Sequence, residues 1–70
     1  MIIAIISQSI TTNVITADVY QNDTFLCDSK SESLKVIIDT LKDSMVRNVE
    51  IVGMNSDIAQ VMRNNGFIVT

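Results

Sequence analysis

The carboxylate side chains are the groups in this sequence whose type and spacing suit chemistry. Asp18, Asp23 and Asp28 recur at five-residue intervals around a polar segment. Because hard divalent cations prefer carboxylate oxygens, a weak cation site between Asp18 and Asp28 is one interpretation. The sequence favours another, in which Asp23 lies in a solvated turn and Asp28 precedes a helix, where a negative charge is stabilised by the helix dipole. Glu50, inside a predicted strand, is expected to reach solvent.

Other groups that enzymes commonly use are missing from the chain. It has no histidine, which excludes a Ser-His-Asp triad, a Cys-His pair and an imidazole metal site. Two glycines, Gly53 and Gly66, are too few for a phosphate-binding loop. Cys27 has no second cysteine to pair with and no histidine to activate it, so we expect a buried, reduced thiol. The sequence therefore predicts no catalytic residue, no metal ligand and no cofactor.

Composition indicates one small domain over residues 1–70 with an aliphatic core. Hydrophobic residues make up 47% of the chain and aromatic residues 4%. The net charge is −3 and the five basic residues are scattered, which disfavours nucleic acid and an anionic membrane surface as partners. The apolar start is shorter than the ~20 residues of a transmembrane helix and lacks the basic residues of a signal peptide. We therefore expect a cytoplasmic protein.

The first half of the chain has the pattern of three antiparallel strands. The apolar run Ile2–Ser7 is typical of a central strand covered on both faces. The segment Thr12–Tyr20 alternates, so one side of a second strand should face the core. A polar turn and a short third strand, Phe25–Cys27, follow. The inward residues of the second strand are predicted to be Ile15, Ala17 and Val19.

A helix follows the third strand. Ser29 and Glu32 have the spacing of a capping box, which predicts that the helix begins there. Apolar residues then recur at helical intervals and form one stripe that should dock on the sheet. The stripe consists of Leu34, Ile37, Ile38, Leu41 and Met45.

The remaining chain alternates strand and helix. A strand is predicted over Val49–Met54, and Asn55 or Ser56 caps a second helix. Gly66 suits the left-handed position that ends a helix, and a last strand covers Phe67–Val69. The buried face of the second helix is predicted to carry Ile58, Val61 and Met62.

This element order, β-β-β-α-β-α-β, predicts a mixed α/β (α+β) fold. Hairpins pair the first three strands, and right-handed crossovers make the later strands parallel. The simplest arrangement is a five-stranded mixed sheet of order 3-2-1-4-5 with two helices.

That order is similar to the core of the ribonuclease H-like superfamily over nearly the whole chain. Residues 49–56, VEIVGMNS, resemble the strand of that family that ends in an Asp-Ser pair, where the aspartate helps to bind a divalent metal. Asn55 stands at the aspartate position, and the first strand lacks the carboxylate that the family has there. Since two-metal chemistry needs several convergent carboxylates, the resemblance implies the fold without nuclease activity.

A second resemblance is to the STAS domain. It involves Asp28-Ser29 before the first helix and residues 49–67. In that family a serine at a helix N-terminus can be a phosphorylated switch, and Ser29 matches it. The glycine that usually follows this serine motif and the helix that precedes it are missing here.

Two classes of function remain. One is a non-enzymatic protein-interaction or accessory module, and the other is a nuclease-like relic or a phosphoswitch using Ser29. The missing first-strand carboxylate and the absent histidine favour the module. Its expected partner is a second copy, as a homodimer, or another protein, because a short chain leaves apolar surface exposed and its last strand lies at an unprotected edge. The predicted interface is Phe67, Ile68 and Val69, with Val14, Thr16 and Tyr20 of the second strand as a rival.

Overall fold

The predicted order of strands and helices is confirmed. The computed structural model describes residues 1–53 and 55–70. Met54, the last residue of the predicted fourth strand, lies outside the described residues. The described elements are β1 (Ile2–Gln8), β2 (Ile15–Gln21), β3 (Thr24–Ser31), α1 (Leu34–Asp43), β4 (Asn48–Ile51), α2 (Ser56–Asn64) and β5 (Ile68–Val69).

The strands form a sheet of order β3-β2-β1-β4-β5, as predicted. Strand β1 pairs antiparallel with β2 and parallel with β4. At the edges, β3 is antiparallel to β2, and β5 is parallel to β4. The connection from β3 to β4 through α1 and the connection from β4 to β5 through α2 both run toward the β5 edge of the sheet. Right-handed crossovers of this kind place their helices on the same face of the sheet.

One hydrophobic core lies between this face and the helices. The predicted inward set of β2 is confirmed, because Ile15, Ala17 and Val19 are all buried. Strand β1 is not covered on both faces as predicted, since Ala4 and Ile6 are fully buried whereas their neighbours are only half-buried. The reason is that both helices pack on one side. The other members of the core cluster are Ile37, Ile38, Leu41, Val46, Val49, Ile58, Met62 and Phe67.

Helix α1 begins later than predicted, because β3 is longer. Strand β3 continues through Ser29 to Ser31, where its backbone pairs with β2 as far as Ile15. This pairing satisfies backbone groups that a capping box at Ser29 would leave free. The cap is Ser33, whose Oγ accepts a hydrogen bond from the Val36 N–H at 3.4 Å. The capping prediction for Ser29 is therefore wrong.

The two helices end in the same way. After α1 the Val46 N–H donates to the Leu41 carbonyl, and after α2 the Phe67 N–H donates to the Met62 carbonyl. At each helix end a second backbone hydrogen bond spans fewer residues inside the first, so both ends are Schellman motifs. Such a motif needs a residue with a left-handed backbone conformation at the position after the cap. Gly66 takes that position after α2, as predicted, with φ +89°. After α1 the position is taken by Met45, with φ 59° and a side chain that is 82% exposed, so Met45 is not part of the buried stripe.

Replacing Met45 by glycine is expected to raise the free energy of unfolding by about 0.5–1 kcal/mol. A residue with a Cβ atom is strained in the left-handed region, and the exposed methionine loses little packing. The matched control is Gly66→Ala, where the added Cβ meets no atom within 4 Å, so only backbone strain of about 1 kcal/mol acts. Urea unfolding of both variants measures the two effects. A destabilised Met45→Gly protein would contradict this account of the cap.

Other boundaries differ by a few residues. Strand β2 begins at Ile15, because Ser9 Oγ accepts hydrogen bonds from the Thr11 and Thr12 N–H groups and holds the preceding segment in a loop. Strand β4 begins one residue early and ends at Ile51. In α2, Asn55 is the cap, as predicted. Ala59 is buried instead of Val61, which is 37% exposed. No helix in the described part of the chain has the length and apolar content to cross a membrane.

Candidate functional site

The sheet face turned away from the helices, here called the open face, collects the charged side chains of the strands. Strand residues alternate between faces, so the residues between the buried ones point here. Asp18 lies directly opposite Asp28 on β3 and opposite Ile5 on β1, and Ile5 lies opposite Glu50 on β4. The fourth charged residue of the described strands, Lys30, lies opposite Thr16 on the same face. One row across the sheet therefore carries three carboxylates.

The neighbouring row is apolar. Ile3 lies opposite Tyr20 on one side and Asn48 on the other, and the row continues to Phe25 on β3 and Ile68 on β5. The rings of Tyr20 and Phe25 meet edge to face, with centroids 5.6 Å apart. Phe25 is 52% exposed and Ile68 is 59% exposed, whereas the residues between them are half-buried. A strip of apolar side chains, interrupted by Asn48, thus lies beside the acidic row.

Asp23 and Asp28 lie in different environments, and only Asp23 lies where the sequence predicts it. Asp23 is in the turn between β2 and β3, as the favoured interpretation predicts, with φ 68°. Asp28 lies inside β3 instead of before a helix, so the helix-dipole interpretation for it is wrong. Among the described residues, no group of three or more Asp, Glu, Cys or His side chains suits a metal ion. Like charges directly opposite each other in a sheet are destabilising, so a cationic neighbour of Asp18 and Asp28 would be favourable.

A cleft of about 690 Å³ opens at the carboxyl ends of β1 and β4. Ligands of open α/β sheets bind at such a place, where chain connections leave in opposite directions. Its described polar side chains are three amides, three serine hydroxyls and one carboxylate, and two of the amides bind each other. The Asn55 amide donates to Gln8 Oε1 at 3.2 Å, and Asn55 Oδ1 accepts from the Ile58 N–H at 3.1 Å as the helix cap. Asp57 is the one carboxylate among the described lining residues, so the cleft offers little to a divalent cation.

Two residues singled out in the sequence lie on β3, and neither has the predicted surroundings. Cys27 is exposed, not buried, because β3 forms the edge of the sheet. Ser29 is half-buried inside the strand and lies four residues before the cap Ser33. The helix N-terminal position that the STAS resemblance implies for Ser29 is therefore not the one it occupies.

The predicted interface residues are distributed over three environments. Phe67 is buried in the core, and Val69 packs half-buried against it. Val14 is half-buried but precedes β2, so it lies outside the observed second strand although the predicted strand included it. Thr16 and Tyr20 lie with the exposed Ile68 on the open face, so two residues of one predicted set and one residue of its rival share this surface. That surface also includes Ile3, Ile5 and Phe25, which are not among the predicted interface residues.

The open face and the cleft thus differ in the side chains that they offer to a ligand or a partner. In the cleft two neutral amides already bind each other, whereas the open face has exposed apolar side chains beside unpaired carboxylates. Comparison of the chain with protein-family models, with curated proteins and with solved structures finds no match.

Proposed function

We propose that the protein is a non-enzymatic interaction module that binds another protein through its open face. The observation that carries this proposal is the coverage of the sheet, since within the described residues helices pack on one face only. The other face presents the strip from Phe25 to Ile68, whose two ends are more than half exposed, and exposed apolar patches mark interaction sites in proteins.

The ribonuclease H-like resemblance forms part of this proposal. The strand order supports a core of that topology. The neutral Asn55, occupied as a helix cap, supports a core that does not bind catalytic metal. The exposed thiol of Cys27, which has no partner, supports a cytoplasmic location, because reducing compartments keep such thiols free.

Site-specific photo-cross-linking tests the proposal in cells that make the protein. A photo-reactive phenylalanine analogue replaces Phe25 on the open face or, as a control, Val36 on the outer side of α1. The two positions are matched, at 52% and 50% exposure. We expect one discrete cross-linked protein from position 25 and none from position 36. Equal products from both positions, or none from either, would overturn the proposal.

The alternative function is a metal-dependent nuclease, which the place of the cleft at the ends of β1 and β4 favours. We expect no cleavage of DNA, RNA or hybrid duplex in Mg²⁺ or Mn²⁺, because the cleft lacks convergent carboxylates among its described residues. Gel assays of the pure protein measure this. Cleavage that disappears in Asp57→Asn or Glu50→Gln protein would contradict the prediction.

Self-association through the edge strand β5 is a separate prediction. Its backbone has a free side, and neither Lys nor Pro protects it. Sedimentation equilibrium at micromolar concentration should show a species heavier than the 7.7 kDa chain. Ile68→Lys should weaken it, whereas Thr16→Lys on β2 should not. A single 7.7 kDa species would show that the chain does not pair at this edge.

A further inference from the structure

Resting on the proposed function, we infer that the segment bound by the open face is a basic amphipathic helix of another protein. Its apolar stripe lies along β1 over Ile3 and Ile5, and Lys or Arg residues on its two flanks face Asp18 and Glu50.

Charge on both sides of β1 favours a cationic partner. Ile5 lies opposite Asp18 on β2 and opposite Glu50 on β4, so a carboxylate lies on each side of the apolar side chains of β1. Asp28 adds a third carboxylate next to Asp18. Lys30 is the single cation that the described strands place on this face. Complementary charge at the rim of an apolar contact speeds association and selects the partner.

The length of β1, which places the apolar residues Ile3 and Ile5 on the open face, fits a helix. Strand β1 has seven residues, which at about 3.3 Å each give a length of about 23 Å. A helix rises about 1.5 Å per residue, so about 15 residues cover this length. Neighbouring strands lie about 4.8 Å from β1, and a helix with its side chains has a radius of about 5–6 Å. The flanking residues of a helix centred on β1 therefore lie over the carboxylates.

A second copy of the chain fits the open face poorly. The face measures about 20 Å on each side, or about 400 Å², whereas a standard stable interface buries about 800 Å² per partner. A two-fold contact across this face would also bury three carboxylates from each copy. The described strands of each copy supply only one ammonium group to offset them. Burying unpaired charge is costly, so this face suits a segment of a cationic protein.

A synthetic peptide tests the inference on the intact chain. The probe is a 15-residue (roughly matched to β1) amphipathic helix with leucines on one side and lysines on both flanks. One comparison peptide has Glu for Lys, and another has Ser for Leu. Binding is followed by NMR shifts of the backbone amides and by the change of affinity with salt. We expect shifts in β1, β2 and β4, weaker binding as salt rises, and at least about tenfold weaker binding of both comparison peptides.

Charge-neutral variants locate the contact. The double variant Asp18→Asn, Glu50→Gln should bind the lysine peptide about tenfold more weakly. The control Asp39→Asn, Asp43→Asn removes the same charge from the exposed side of α1 and should bind like the original protein. Equal affinity of both double variants, shifts confined to α1 or α2, or shifts of β1 and β2 caused by protein concentration alone would each overturn the inference. If the peptide fails while position 25 still cross-links a protein, only this inference falls. If both fail, the proposed function falls too.

Discussion

Truncating Ile37 to alanine should lower the free energy of unfolding by about 2–5 kcal/mol. Ile37 is fully buried, and it packs from α1 into the core that the sheet shares with α2. The substitution removes buried methyl groups and leaves a cavity that close-packed neighbours cannot fill. A domain of this size has little stability to lose, because most proteins have only about 5–15 kcal/mol.

The matched control for Ile37→Ala is Val36→Ala. Val36 is the preceding residue of the same helix and is 50% exposed, so its truncation should cost less than about 1 kcal/mol. Urea unfolding at equilibrium measures both variants. Similar losses for the two would show that α1 does not dock through the assigned face.

A lysine at position 4 is expected to prevent folding, whereas a lysine at position 5 is tolerated. Ala4 is fully buried under the helices, and a buried ammonium group without a partner costs several kcal/mol. Ile5 is on the open face, where the new ammonium group would lie between Asp18 and Glu50. Opposite charges across strands contribute about 0.2–1 kcal/mol each, which offsets part of the lost apolar burial.

Circular dichroism and urea unfolding of Ala4→Lys and Ile5→Lys decide this prediction. We expect an unfolded Ala4→Lys protein and a folded Ile5→Lys protein that loses less than about 1.5 kcal/mol. The reverse order of stability would mean that the helices pack on the other face of the sheet. Equal and severe losses would mean that both faces of β1 are covered.

The order of the strands was predictable from the sequence, because hairpins and right-handed crossovers leave few arrangements. The end of β3 was not, since residues 28–31, DSKS, are polar and show no strand alternation. They form a strand because the backbone of β2 needs a partner, not because of their own preference. The cap of α1 is Ser33 and not the predicted Ser29, and the residue type does not distinguish the two positions because both are serine.

Which face of β1 is open was not predictable from the residues of β1. Residues 2–6, IIAII, are apolar throughout, so the sequence does not distinguish the buried Ala4 from the half-buried Ile5. Only the shared direction of the crossovers through α1 and α2 determines which face lacks helices. The acidic row was likewise hidden, because its members lie on separate strands and meet through the strand register.

The central claim is that the open face is the surface that binds another protein. Its most direct test is the yield of photo-cross-linking from position 25 in the Ile5→Lys background. This variant should remain folded, but its new ammonium group would lie between Asp18 and Glu50, where the apolar side chains and cations of the partner would bind. The variant should therefore bind the partner more weakly. The account predicts that the yield falls to that of the position 36 control. An unchanged yield from folded Ile5→Lys protein would contradict it.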